Sequence, residues 1–199
     1  MRPRLPQNIA DISSQLRSPA FFVVVTGTLM VFLLALMATV FKKPLVVPPI
    51  GPTIFIVFAF PLAQEAQPRN VVCGHALGIT AGAVALLVFG LLDTAPDIND
   101  IGTDRVFAVT LAMALVLSSL TLLRVLHVPA VATALLVALG LLRKPEDWLA
   151  LMVAVLIIVV VALALARARS IPMPLWSRDA APSARELEEK EFGDRQAPG

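Results

Sequence analysis

The sequence is short of charge and almost without cysteine. Charged residues make up 15% of its 199 positions, against about a quarter in an average soluble domain. Hydrophobic residues reach 58%, and the mean hydropathy is +0.85. A chain of this composition is a membrane protein, with room for one compact transmembrane domain and a tail. The formal net charge of +2 is too small to point to nucleic acid. A single cysteine, Cys73, excludes an intramolecular disulfide and a cysteine-based metal cage. With Gly74 beside it, it reads as a small packing residue.

Catalytic constellations are missing as well. The apolar runs contain no His/Asp/Glu ligand cluster, no carboxylate pair and no serine placed with a base. Ser118 and Ser119 fall within a run, where helix-packing hydrogen bonds explain them. Asp93, Asp97, Asp100 and Asp104 form an acidic loop without the spacing of a calcium loop. The expectation is a protein that is not an enzyme and that holds neither metal nor cofactor.

What is present is a series of apolar runs. Ala20 to Phe41 follows Arg2, Arg4 and Arg17 and ends at Lys42-Lys43. It is longer than a signal-peptide core and lacks a small-residue cleavage site, so it reads as a retained span. Val71 to Leu92, Val106 to Leu123 and Trp148 to Ala166 are further spans, the last with Trp148 as an interfacial anchor. Two stretches between them are apolar but broken. In 44–62, Pro44, Pro48, Pro49 and Pro52 remove backbone donors, leaving Ile54 to Phe60 as a half-helix. In 126–142, Pro129 interrupts the run after His127, leaving Ala130 to Leu142 as a partial crossing.

Each half of the chain therefore reads as long span, broken piece, long span, giving an all-α transmembrane bundle of two pseudo-repeats. Pro49-Ile50-Gly51-Pro52-Thr53 and Pro129-Ala130-Val131-Ala132-Thr133 share a Pro-x-x-x-Thr core. Paired Pro/Gly-interrupted segments in corresponding places point to a transporter's midplane site. Arginine and lysine placement favours six crossings over four. With the N-terminus cytoplasmic, six put Arg2, Arg4, Arg17, Arg69, Arg124, Arg167 and Arg169 inside and Lys42, Lys43, Arg105, Arg143 and Lys144 outside. The organisation expected is a cytoplasmic segment over 1–19, a transmembrane domain over 20–166 and a charged, flexible tail over 167–199, with a short surface helix possible at Ser183 to Phe192.

The polar residues within these runs are the candidates for function. His127 carries an ionisable ring at membrane depth, where such groups tend to face a cavity or pathway. It can exchange a proton near neutral pH, or it can simply bond a carbonyl freed by Pro129. Pro129 suits a helix start, which leaves the amides of Ala130 to Ala132 aimed at His127 and able to attract an anion. Thr133 adds a hydroxyl or back-bonds in its own helix, and Gly51 to Thr53 offers the same from the other half. In Gln67-Pro68-Arg69-Asn70, Arg69 and Asn70 either cap the next helix or meet a lipid headgroup, or belong to an anion path. His75 is a second gate residue, or a buried histidine satisfied by Asn70 or a carbonyl. Gly74, Gly78 and Gly82 recur at four-residue spacing and form a packing seam, within one chain or between copies in a homo-oligomer.

Gly51-Pro52-Thr53, Pro61-Leu62-Ala63, Pro68-Arg69-Asn70, Gly74-His75, and His127 to Thr133 with Leu139-Gly140 occur in an order that resembles the HPP family of integral membrane proteins over roughly Ala20 to Ala166. The resemblance implies a helical membrane bundle, usually of four spans, and a transport role, with nitrite as the solute of some members. Val128 stands where that family has its first proline, and Val131 where a glycine is usual. The expectation is a multi-pass transporter or channel for a small anion in the inner membrane, both termini cytoplasmic, with the lipid bilayer and the anion as partners. The alternative is a non-transporting scaffold that binds a partner through its charged tail.

Overall fold

The structure, a computed structural model, describes residues 19–97, 101–173 and 175. The expected N-terminal segment and nearly all of the tail, including Ser183 to Phe192, lie outside the described residues. Every regular element described is helical: α1 (Pro19–Phe41), α2 (Ile50–Ala59), a 3-10 turn (Gln64–Ala66), α3 (Pro68–Val88), α4 (Thr103–Leu122), α5 (Pro129–Ala138) and α6 (Pro145–Ala168). Among the described residues, α1, α3, α4 and α6 are long and apolar enough to cross a membrane. The other two helices have ten residues each, about 15 Å, or half of a hydrocarbon core of about 30 Å. Long, short, long is thus repeated in both halves.

Proline sets where these helices begin. Pro19, Pro68, Pro129 and Pro145 each stand first in a helix, where the missing N–H costs nothing and the fixed φ suits the helix. The same reasoning accounts for α2, which starts at Ile50 rather than after Thr53. Pro52 lies within its first turn, so the prolines preset this helix instead of forbidding it. Helix ends rely on left-handed residues, glycine at Gly140 (φ 82°) but arginine at Arg124 (φ 51°). At Arg124 the Val125 amide reaches back to the Leu120 carbonyl at 2.9 Å, closing a Schellman turn that permits a sharp exit from α4.

Helix α3 is the centre of the bundle. Half of its spanning window is buried, against 11% for α1, and it packs most extensively on α5, then on α4. The seam of Gly74, Gly78 and Gly82 lies inside the chain, against α5 and the loop before it. A Cβ at Gly78 would sit 2.4 Å from the Ala130 carbonyl oxygen, and one at Gly82 2.6 Å from the Val137 Cβ. Only glycine lets the two backbones approach this closely. Helix α1, by contrast, leans on α2 and meets the end of α6 where the Arg169 guanidinium lies 4.0 Å from the Phe22 ring centroid. Its Val24, Leu29, Phe32, Leu36 and Val40 are exposed, and in a bilayer they face lipid.

Two arginines hold helix ends together. Arg69 donates to the carbonyls of Leu123 (3.3 Å) and Arg124 (3.4 Å) and to Asn70 Oδ1 (3.2 Å). Arg105 donates to the carbonyls of Ala138 (3.3 Å) and Thr94 (3.1 Å). Arg69 and one arm of Arg105 satisfy carbonyls that a helix C-terminus leaves open, and the other arm of Arg105 holds the loop after α3. Trp148 donates its indole N–H to the Leu142 carbonyl at 2.8 Å, tying the start of α6 to the loop before it. Lys43 pairs with Glu146 across the surface. Ser119 bonds the Leu115 carbonyl of its own helix at 2.7 Å rather than a neighbouring helix.

Candidate functional site

Thr53, His75, His127 and Thr133 are all wholly buried, and they touch one another. They come from α2, α3, the loop before α5, and α5. His75 lies about two turns into α3, deeper than a count from Val71 suggests, because α3 starts at Pro68. Its ring spans the gap between the two short helices. Nε2 is 2.9 Å from Thr53 Oγ1, and Nδ1 is 2.8 Å from Thr133 Oγ1. His127 enters from the side, with Nε2 3.2 Å from both His75 Nε2 and Thr53 Oγ1. Its Nδ1 donates to the Glu65 carbonyl at 2.9 Å. The two rings meet edge to face, with centroids 4.9 Å apart.

The repeat explains how the two threonines arrive. Each lies four residues after a proline, and each hydroxyl can donate to that proline's carbonyl, Thr53 to Pro49 at 3.0 Å and Thr133 to Pro129 at 3.4 Å. The glycine seam explains the histidines. A Cβ at Gly74 would meet the His127 Cβ at 2.8 Å, so glycine at 74 makes the space in which His127 reaches the ring one residue further along α3.

Other candidates lie apart from this cluster. Gly51 has nothing within 4 Å of the place a Cβ would take, and it lines a groove facing α1 with Val23, Gly27 and Ile54. Arg69 and Asn70 are occupied at helix ends, Asn70 Nδ2 donating to the Gln64 carbonyl at 2.7 Å. His75 takes its partners from the threonines, not from Asn70. The amides of Ala130 and Val131 do not stand open to an anion, because they bond the carbonyls of His127 (3.1 Å) and Val128 (3.0 Å). His127 itself bonds a carbonyl of the 3-10 turn rather than one freed by Pro129.

Gln67 is the polar residue whose place the sequence did not disclose. It is wholly buried, and neither carboxamide atom has a protein partner. Leaving a buried polar group unpaired costs about 1–3 kcal/mol, so such a group marks a place for water or a polar solute. It stands two residues after Glu65, whose carbonyl holds His127. A groove of about 550 Å³, lined by Gln64, Leu120, Arg124, His127 and Val131 among others, opens beside the cluster. Two imidazoles and two hydroxyls without a carboxylate or thiol make a poor metal cage, and among the described residues no three His, Cys, Asp or Glu side chains converge.

The arrangement is a buried polar knot between two half-helices. No curated protein and no solved structure matches the chain. The family model described as "HPP, transmembrane region" matches residues 13–173, most of the sequence and all of the elements that build the knot. On that match, the chain is a multi-pass membrane protein belonging to the HPP transmembrane family.

Proposed function

We propose that this protein is a transporter or channel for a small solute, and specifically for a small anion, with the Thr53–His75–His127–Thr133 cluster as its occluded site. The observation that carries the reading is the convergence of four buried polar side chains, a threonine from each half-helix, His75 from α3 and His127 from the loop before α5. Polar and ionisable groups at such depth are costly to bury and mark pathways, and paired half-helices form transport sites in other membrane folds. The unpartnered Gln67 carboxamide and the groove at His127 add a polar approach from one side. Nitrite is the anion the family resemblance suggests. Inner-membrane placement with both termini cytoplasmic completes the proposal.

The test is solute uptake into liposomes containing the purified protein, with chloride, nitrate, formate and nitrite compared at several pH values. Saturable uptake of one anion is expected, and His127→Ala should change its rate or its pH dependence. Unchanged flux in that variant would remove His127 from the mechanism. Uptake should also survive deletion of residues 174–199. Absence of flux for every anion, in protein shown to be folded and inserted, would instead favour a scaffold acting through the tail.

A further inference from the structure

The hydrogen bonds of the cluster have only one consistent direction. A carbonyl oxygen can only accept, so the 2.9 Å contact with Glu65 puts a proton on His127 Nδ1. In the neutral ring His127 Nε2 is then a bare acceptor. His75 Nε2 lies 3.2 Å from it. Were that nitrogen bare too, two lone pairs would face each other, so His75 carries its proton on Nε2 and accepts at Nδ1. The Thr133 hydroxyl, 2.8 Å away, supplies that bond. Thr53 accepts from His75 Nε2–H at 2.9 Å and turns its own hydroxyl to His127 Nε2 or to Pro49. The result is one chain, Thr133 to His75 to Thr53 to His127 to the Glu65 carbonyl.

From this chain we infer that the cluster is a binding site for one proton, taken up together with the transported anion, so that the pair crosses without net charge. The inference rests on the transport reading above. One proton added at Thr133 Oγ1 balances as follows. Thr133 passes its original hydroxyl proton to His75 Nδ1, His75 passes its Nε2 proton to Thr53, and Thr53 passes its own to His127 Nε2. Only O–H and N–H bonds form and break. His127 becomes the cation, donating to Glu65 and Thr53, while His75 switches tautomer and donates from Nδ1 to Thr133. The two hydroxyls fall back on the carbonyls of Pro49 and Pro129, at 3.0 and 3.4 Å.

Every donor therefore has an acceptor in both states, with no heavy atom displaced. The repeated Pro-x-x-x-Thr core supplies the two fallback carbonyls. The capacity is one proton, because a second would make two cations 3.2 Å apart.

The groups facing the pair are Thr53 from α2, the Glu65 carbonyl from the 3-10 turn, His75 from α3 and Thr133 from α5. Among the described residues, no carboxylate is a hydrogen-bond partner of either ring. Charged residues in the adjoining segments are Glu65, Arg69 and Arg124, and the Arg69 guanidinium is held on the Leu123 and Arg124 carbonyls. The site is neutral when empty of the extra proton and carries one positive charge when loaded. That loaded charge supplies the attraction for an anion which Arg69 and the amides of Ala130 and Val131 do not.

Two measurements test the proposal. In the first, liposomes carrying the full chain and a trapped pH dye receive in turn an inward gradient of chloride, nitrate, formate or nitrite, with potassium and valinomycin clamping the membrane potential and protein-free liposomes as control. The lumen should acidify by one proton per anion, with anion flux indifferent to the clamp. Thr133→Val should abolish the acidification, and Thr80→Val, at an exposed position of α3, should not. Anion flux without acidification overturns the proton site and leaves transport standing, whereas no anion flux overturns both.

The second measurement needs no flux. Nitrogen-15 spectra of the two imidazoles should give the Nδ1–H form of His127 and the Nε2–H form of His75 in the neutral state. On acidification they should show a single uptake that also switches the His75 tautomer. Two independent titrations, or the opposite neutral tautomers, contradict the proposal.

Discussion

The short helices α2 and α5 are alike in length and in their Pro-x-x-x-Thr core, yet they occupy different surroundings. Helix α5 lies in the glycine seam of α3, where the Ala130 carbonyl occupies the space a Gly78 side chain would need. Helix α2 packs between α1 and α6, and its Gly51 faces open space. Two residues before Pro129 stands His127, and two residues before Pro49 stands Val47, which packs on the apolar core. The comparison teaches that the repeat supplies a symmetric pair of hydroxyls, while the titratable groups come from the α3–α5 side alone.

The largest effect should come from the seam. Gly78→Leu forces α3 and α5 apart and should cost more than the roughly 1–3 kcal/mol typical of overpacking, lowering the thermal midpoint in detergent and ending uptake. Gly51→Ala, its counterpart in the open groove, should be neutral or stabilise by up to about 1 kcal/mol through helix propensity. Equal losses at both positions would erase the asymmetry drawn here.

Next in size are the hydroxyls. Thr133→Val leaves His75 Nδ1 without its 2.8 Å partner and should cost about 1–3 kcal/mol, as buried unsatisfied groups do. Thr53→Val should cost a comparable amount, because Thr53 serves both rings. Denaturation of each single variant and of the pair would show coupling through His75, and strict additivity would break the link between the two halves.

Gln67→Leu should behave differently. It removes an unpartnered carboxamide, so stability should hold or rise by about 1 kcal/mol while uptake falls. Unchanged uptake would place Gln67 outside the solute's path. The smallest effect expected is at Arg124, where φ of 51° strains a non-glycine residue. Arg124→Gly should gain about 1 kcal/mol in a thermal melt, and keeps the backbone carbonyl that Arg69 binds.

Much of this architecture was legible in the sequence. Apolar run length gave the long helices, and proline placement gave the two interruptions and the repeat. Thr53, His75, His127 and Thr133 were each visible as polar residues in apolar context. Their contact was not, because His75 and His127 are brought together only by the space Gly74 leaves. Gly51, Arg69 and Asn70 shared the same motifs without joining the cluster, since motif order carries no information about which face of a helix turns inward. The start of α2 at Ile50 was missed because several prolines together read as a break, although a first turn tolerates them. Arg105 looked like a topology-setting charge, and its role at the end of α5 depends on a left-handed Gly140 against which its guanidinium packs.

The most direct measurement of the central claim is anion uptake by the double variant Thr53→Val/Thr133→Val beside wild type, in liposomes of equal protein content with folding verified by thermal melt. If the two half-helix hydroxyls and the histidines between them form the transport site, uptake falls at least about tenfold, equivalent to about 1.4 kcal/mol at the limiting barrier, while the protein remains inserted. Undiminished uptake in the folded double variant would contradict the account and move the pathway away from the half-helices.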